Sequence, residues 1–89
     1  MIVIDFHPRF KKAYKKRLKE DPKLPDRYQQ RIKLFINNPH HPLLRDHALK
    51  GEKEGYRAFS ITGDIRIVYK QVDETTILFL DIGSHNQVY

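Results

Sequence analysis

The chain has 89 residues, 39% of them hydrophobic, with no Cys and a formal net charge of +6. A length of this order suggests one domain with a thin core, burying only about two thirds of the surface its unfolded chain exposes. The lack of Cys excludes a disulfide framework and a thiolate metal site. No apolar run approaches the roughly 18 residues of a membrane span, and the apolar start is too short for a signal peptide, so a soluble cytoplasmic protein is expected.

Seventeen Lys and Arg side chains and a pI near 9.7 favour a polyanionic partner, with a merely solubilising surface as the plainer reading. Mean hydropathy is −0.68, which leaves room for stability borrowed from a partner.

The alternating, branched stretch Ile2 to Phe6 reads as a strand. Pro8 suits the first turn of a helix, and Phe10, Ala13, Tyr14 and Leu18 then form one apolar stripe. Lys11, Lys12, Lys15, Lys16 and Lys19 occupy the other face, usually a solvated one, but dense enough here to suggest binding. A break at Glu20 to Pro25 precedes a second helix, expected from an Asp26 N-cap to Asn37 with Tyr28, Ile32, Phe35 and Ile36 inward.

The segment from His40 to Gly55 reads as a loop, and a loop this long usually carries function or disorder. Three strand signals follow, at Tyr56 to Ile61, Asp64 to Lys70 and Thr76 to Ile82, the first two joined by a tight turn at Thr62-Gly63. The expected fold is α+β, in the order β-α-α-β-β-β, a small antiparallel sheet covered on one face by two helices, in a single domain over residues 1–89. The other face is left open. Asp64, Arg66, Val68 and Lys70 share one face of their strand, and Ile65, Ile67 and Tyr69 the other.

His47, Arg66 and the pair His85 and Tyr89 are the groups suited to chemistry, with Asp46, Lys50, Lys53, Arg57 and Asp64 near them in sequence. Cleavage of RNA by its own 2'-hydroxyl needs a base, an acid and a cation near the phosphate. Two His supply the first two near neutral pH and an Arg the third, while an aromatic ring holds a splayed base. Plainer readings stand beside these. His47 is solvated, His85 caps a turn, Arg66 pairs with Asp64 or Asp81, and Tyr89 packs on a sheet edge. The remaining His residues form no helical i, i+4 pair, so no metal or other cofactor is expected.

The stretches DHALKG, GYRAFSITGDIRIVYK and LFLDIGSHNQVY together resemble the successive motifs of RelE/ParE-superfamily toxins, in the RelE/StbE and YafQ-like branch, over nearly the whole chain. The resemblance implies the toxin of a type II toxin–antitoxin system, a metal-independent endoribonuclease that cuts mRNA in the ribosomal A site. It also implies a cognate antitoxin, here expected to carry an acidic, partly disordered segment. His47 matches the loop His of the YafQ-like branch, Asp64 its hairpin Asp and His85 its C-terminal His. Arg66 matches the strand Arg of RelE, and Tyr89 the C-terminal aromatic.

The chain departs from the branch at Ser60, Ile65 and Asp81, which carry a second His, a Trp and an Arg there, and this leaves the general base open. His85 is read as acid, Arg66 as phosphate clamp and His47 as the candidate base. Lys50, Lys53, Arg57, Lys11, Lys12, Lys15 and Lys16 are read as RNA contacts. Two other readings remain: a ParE-like inhibitor of DNA gyrase, and an inactive module that binds only RNA or antitoxin.

Overall fold

A computed structural model describes residues 2–51 and 55–84. The expectations for Lys53, His85 and Tyr89 lie outside the described residues.

Val3–Phe6 form β1, and the chain then turns at His7 and Pro8 into α1 (Pro8–Glu20). His7 caps this helix, its Nδ1 accepting the Arg9 N–H at 3.0 Å, while Pro8 occupies a position whose N–H would have no helical partner. Helix α2 (Leu24–Asn37) starts earlier than expected, because Pro25 already has the backbone angle of a first helical turn. Asp26 is therefore not the N-cap. It lies inside the first turn, where its carboxylate still faces the positive end of the helix dipole.

The described part of the loop after α2 contains regular structure that its sequence did not signal. It holds a short 3₁₀ turn (Pro42–Leu44) and a two-residue strand, β2 (His47–Ala48). Strands β3 (Arg57–Ser60), β4 (Ile65–Gln71) and β5 (Thr76–Ser84) form the expected antiparallel meander. Asp73 pins the last turn, its Oδ1 accepting the N–H groups of Thr75 at 2.9 Å and Thr76 at 2.8 Å, which holds its carboxyl below the usual range.

The sheet is mixed rather than wholly antiparallel, in the order β1-β5-β4-β3-β2. β1 lies parallel to β5, with Phe6 beside Phe79, and the two helices between these strands provide the long connection that parallel pairing requires.

Phe35, Phe59, Phe79, Leu24, Leu44, Ile61 and Ile67 fill the space between the helices and one sheet face. The Phe35 ring stacks on Phe59 at 4.5 Å and meets Tyr69 edge-on at 5.1 Å. Phe35→Ala should cost about 3–5 kcal/mol, a large share of the roughly 5–15 kcal/mol that holds a domain together. Urea unfolding checks this: the midpoint should fall sharply with little change in slope.

Candidate active site

Strand parity sets which side chains reach the face that the helices leave uncovered. His47 stands opposite Ala58, Ala58 opposite Val68, and Val68 opposite Asp81, one row across β2, β3, β4 and β5. The next row is Ser60, Arg66 and Gly83. His47 and Arg66 thus share this face, one row and two strands apart. Ideal sheet spacings separate their Cα atoms by roughly 12 Å, a span that long side chains and a bound phosphodiester can bridge. Between them the floor is apolar, with Ala58 and Val68 buried under Leu49, Tyr56 and Leu80.

His47 is exposed, and its ring is oriented by the backbone. Its Nδ1–H donates to the Arg45 carbonyl at 2.9 Å, so the neutral ring keeps its lone pair on Nε2, the arrangement of a base. Arg45 has a left-handed backbone, with φ at 50°, which costs a residue with a Cβ roughly 1–2 kcal/mol.

The neighbouring residue, Asp46, holds this turn in place from the opposite side of the chain. Its side chain is only 3% exposed; Oδ1 accepts Arg57 Nε–H at 3.0 Å and Oδ2 accepts the Tyr69 hydroxyl at 2.6 Å. Burial, then the adjacent carboxylate, push the Tyr69 phenol far up, so it remains a donor throughout the working pH range.

Arg66 is half-buried, and Nη1 donates to the carbonyls of Thr62 at 3.3 Å and Gly63 at 3.2 Å. Among the described residues Arg66 forms no ion pair, with Asp64, Asp81 or any other carboxylate. Its guanidinium is held by neutral dipoles and keeps its full charge over the sheet. Asp64 sits exposed on the turn beneath it, its N–H donating to Thr62 Oγ1 at 3.2 Å. Ser60 faces Arg66 across the strand pair, and its buried Oγ finds no hydrogen-bond partner among the described residues.

The basic residues read from sequence fall into separate places. Arg57 lies in the Tyr69 row, on the helix-covered side, engaged with Asp46 rather than directed to the open face. Lys50 is exposed close to β2. Lys11 and Lys15 flank a cleft of about 370 Å³ between Phe6, Phe10, Tyr14 and Tyr28. Lys12 is exposed on α1, and Lys16 lines a hollow with Arg17, Glu20 and Asp81.

Sequence reasoning passed over Asp46 and Tyr69 as a pair. A phenol on the core face of an aliphatic strand was the available signal, since a buried Tyr hydroxyl needs a partner. Among the described residues no three His, Asp or Glu side chains converge as a metal site, and no helix is long and apolar enough to cross a membrane.

A family model described as the bacterial toxin of a type II toxin–antitoxin system, YafQ, matches residues 2–89. The toxin in a crystal structure of the E. coli DinJ–YafQ complex is 24% identical, with a TM-score of 0.81 over 100% of this chain and 99% of that one. A metal-bound toxin from Helicobacter pylori is 28% identical, with a TM-score of 0.78 over the full length of both chains. A YoeB/ParE toxin from Agrobacterium tumefaciens is 20% identical, with a TM-score of 0.75 over 96% of this chain and 99% of that one. No curated relative matches the chain.

Asp46→Asn removes the charge from the clamp and weakens both of its bonds. It should lower stability by about 1–3 kcal/mol in urea unfolding. Nitrogen-15 NMR should then show His47 exchanging between tautomers, where the unaltered chain holds Nδ1–H. A His47 signal unchanged by the substitution would separate the clamp from the ring's orientation.

Proposed function

Because the chain belongs to the YafQ family of type II toxins, we propose that it arrests translation in the cytoplasm by cutting mRNA in the ribosomal A site, without a cofactor. The observation that carries this reading is the placement of His47 and Arg66 on one open sheet face, the first with its tautomer set by a carbonyl and the second paired with no carboxylate among the described residues.

In the proposed reaction, His47 Nε2 takes the proton of a 2'-hydroxyl. That oxygen attacks the adjacent phosphorus, and the 5'-oxygen leaves with a proton from His85, producing a 2',3'-cyclic phosphate and a free 5'-hydroxyl. Arg66 holds the non-bridging oxygens as negative charge builds, the part a metal would otherwise play. Tyr89 stacks on a splayed base. Asp64 lies beside Arg66 on the turn and helps hold the hairpin that presents it. Lys50, close to β2, and Lys53 receive the RNA backbone, and Lys12 and Lys16 extend the basic surface.

The same reading includes a cognate antitoxin. The cleft of Phe6, Phe10, Tyr14 and Tyr28, with Phe6 42% exposed and Lys11 and Lys15 at its rim, suits an acidic, partly disordered segment that folds onto it. The DinJ–YafQ complex is a precedent for such a partner in the family.

The test is translation in a cell-free extract, with primer extension on an mRNA carrying either a ribose or a 2'-deoxyribose at the cut position. Codon-positioned cuts in the ribose mRNA alone are expected. Equal cutting of both would replace the 2'-hydroxyl with water as nucleophile, and intact mRNA with arrested supercoiling would favour a gyrase inhibitor instead. His47→Ala should slow cutting by about 10²–10⁴, and His85→Ala should abolish it while antitoxin binding persists.

Antitoxin affinity should fall as salt rises from 50 mM to 500 mM, read by isothermal titration, since the rim charges are screened. A salt-independent affinity would remove charge from the account.

A further inference from the structure

A hollow on the open face has no part in the chemistry above. β1 stops at the Phe6–Phe79 pair, where the His7 N–H makes its last bond, to the Phe79 carbonyl at 2.9 Å. Beyond that point the chain leaves β5 for α1. At the same level the β4–β5 register slips. Val68 pairs with Asp81 and the next residue, Tyr69, with Phe79, so Leu80 is an extra residue. Such a bulge re-aims side chains. It brings two consecutive residues, Leu80 and Asp81, to the rim of one hollow. The hollow measures about 230 Å³, and His7, Arg9, Tyr56 and Val68 complete its lining.

We propose that this hollow is a subsite for a guanine nucleotide of the RNA strand, the base on Leu80 beside Tyr56 and above buried Val68, its Watson–Crick edge on Asp81 and its phosphate on Arg9 and His7. The proposal rests on the RNA-cutting reading and adds to it a preference for one base.

The chemistry of the lining supports each part. Val68 and Leu80 form an apolar floor continuous with buried Ala58, and Tyr56 offers an aromatic surface, the surroundings in which an unpaired base stacks. An ionised Asp is acceptor-only, with about four lone-pair sites on its two oxygens; Asp81 Oδ1 already accepts the Ile82 N–H at 2.9 Å, which fixes the carboxylate and leaves Oδ2 and the second lone pair of Oδ1 for a ligand. Guanine alone among the four RNA bases offers two adjacent donors, N1–H and the 2-amino group, which match the two oxygens of a carboxylate. Adenine and cytosine place a ring acceptor beside their single amino group, and uracil flanks its one N–H with two carbonyls, so each would set an acceptor against Asp81.

In the same lining, His7 Nδ1 is occupied by the Arg9 N–H, which leaves the neutral ring with its proton on Nε2, as a donor. Arg9 adds an exposed positive charge. A lining that combines a carboxylate with an arginine and an imidazole suits a nucleotide and disfavours a purely anionic peptide. The hollow also lies in the right place. Val68 shares its row with His47, two strands away, roughly 10 Å by sheet spacing, within reach of the next nucleotide of an extended strand.

The test uses the full chain and three-nucleotide RNAs whose 2'-oxygens are methylated, so that no internal cut can occur. The central base is guanine, inosine, adenine or cytosine, and methyl NMR follows Val68 and Leu80. The guanine RNA should shift these methyls most strongly. Inosine, which lacks the 2-amino group, should bind about tenfold more weakly, as loss of one bond to a charged group implies. Asp81→Asn should remove the preference for guanine over adenine, and Arg9→Ala should weaken all four RNAs alike.

Equal binding of guanine and inosine by the unaltered chain overturns the proposal even if Asp81→Asn fails to fold, as do Val68 and Leu80 methyls that stay still while other signals move. Guanine binding in a chain that leaves mRNA intact would retain the subsite and reject the nuclease. Cutting with no guanine preference and unmoved methyls would do the reverse.

Discussion

The Asp46 carboxylate lies beneath the edge of the sheet with 3% of its side chain exposed, and the open face depends on it. Taking a carboxylate out of water carries a cost of several kcal/mol unless directed bonds replace its hydration. Tyr69 and Arg57, paired with each other across β3 and β4, provide those bonds. The loop after α2 is thus tied to the sheet at a position neither end of the loop could set by itself. Leu44 seals the core on one side of the tie and β2 pairs with β3 on the other. The strained turn at Arg45 persists because both its flanks are fixed, and that turn supplies the carbonyl that orients His47. One buried charge therefore controls a ring on the far side of the strand.

A second constraint governs the other end of the sheet. Phe6, Phe10 and Phe79 come from strand, helix and sheet, with ring centroids 5.4 to 5.8 Å apart. Their packing joins the end of β1, the start of α1 and the middle of β5. Because β1 ends there, the first turn of α1 lies beside the open face of β5 while its apolar stripe still enters the core. Consecutive residues on the same helix then serve different surfaces: Arg9 at the rim of the hollow, Phe10 in the core and Lys11 at the aromatic cleft. The density of cations on α1 is shared among surfaces instead of forming one plate.

Periodicity made much of this legible. Alternation in β4 assigned Ile65, Ile67 and Tyr69 to the core and Arg66 to the open face, and the stripe from Phe10 to Tyr14 placed α1. What pattern could not supply were the interactions between distant segments. The parallel pairing of β1 with β5 is a choice among strands made by tertiary packing. Helix α2 begins at Leu24 because Pro25 tolerates a helical turn, a conformational fact that outweighs the capping preference of Asp26. β2 has only two residues, too few to show a period. The partnership of Asp46 with Arg57 and Tyr69 spans 11 and 23 residues of sequence; the core-facing Tyr69 hydroxyl signals that a partner is needed, but no local pattern says which. The bulge at Leu80 is equally silent, since its apolar and acidic residues read as ordinary alternation.

The two strand arginines show how much rests on register. Arg57 and Arg66 stand on adjacent strands but on opposite faces, because one belongs to the Tyr69 row and the other to the Ser60 row. Arg57 meets a buried carboxylate, and its charge is consumed in holding the loop. Arg66 meets the carbonyls of Thr62 and Gly63, which orient a guanidinium without neutralising it. A slip of one residue in either strand would exchange these faces. The clamp would then lose its cation, and the open face would gain one that no turn holds in place. The bulky side chains fixing that register, Phe59 and Ile67 paired across β3 and β4, lie wholly in the core. Core packing thus decides which arginine stays available to an anion, and in this fold it acts on the site through strand parity.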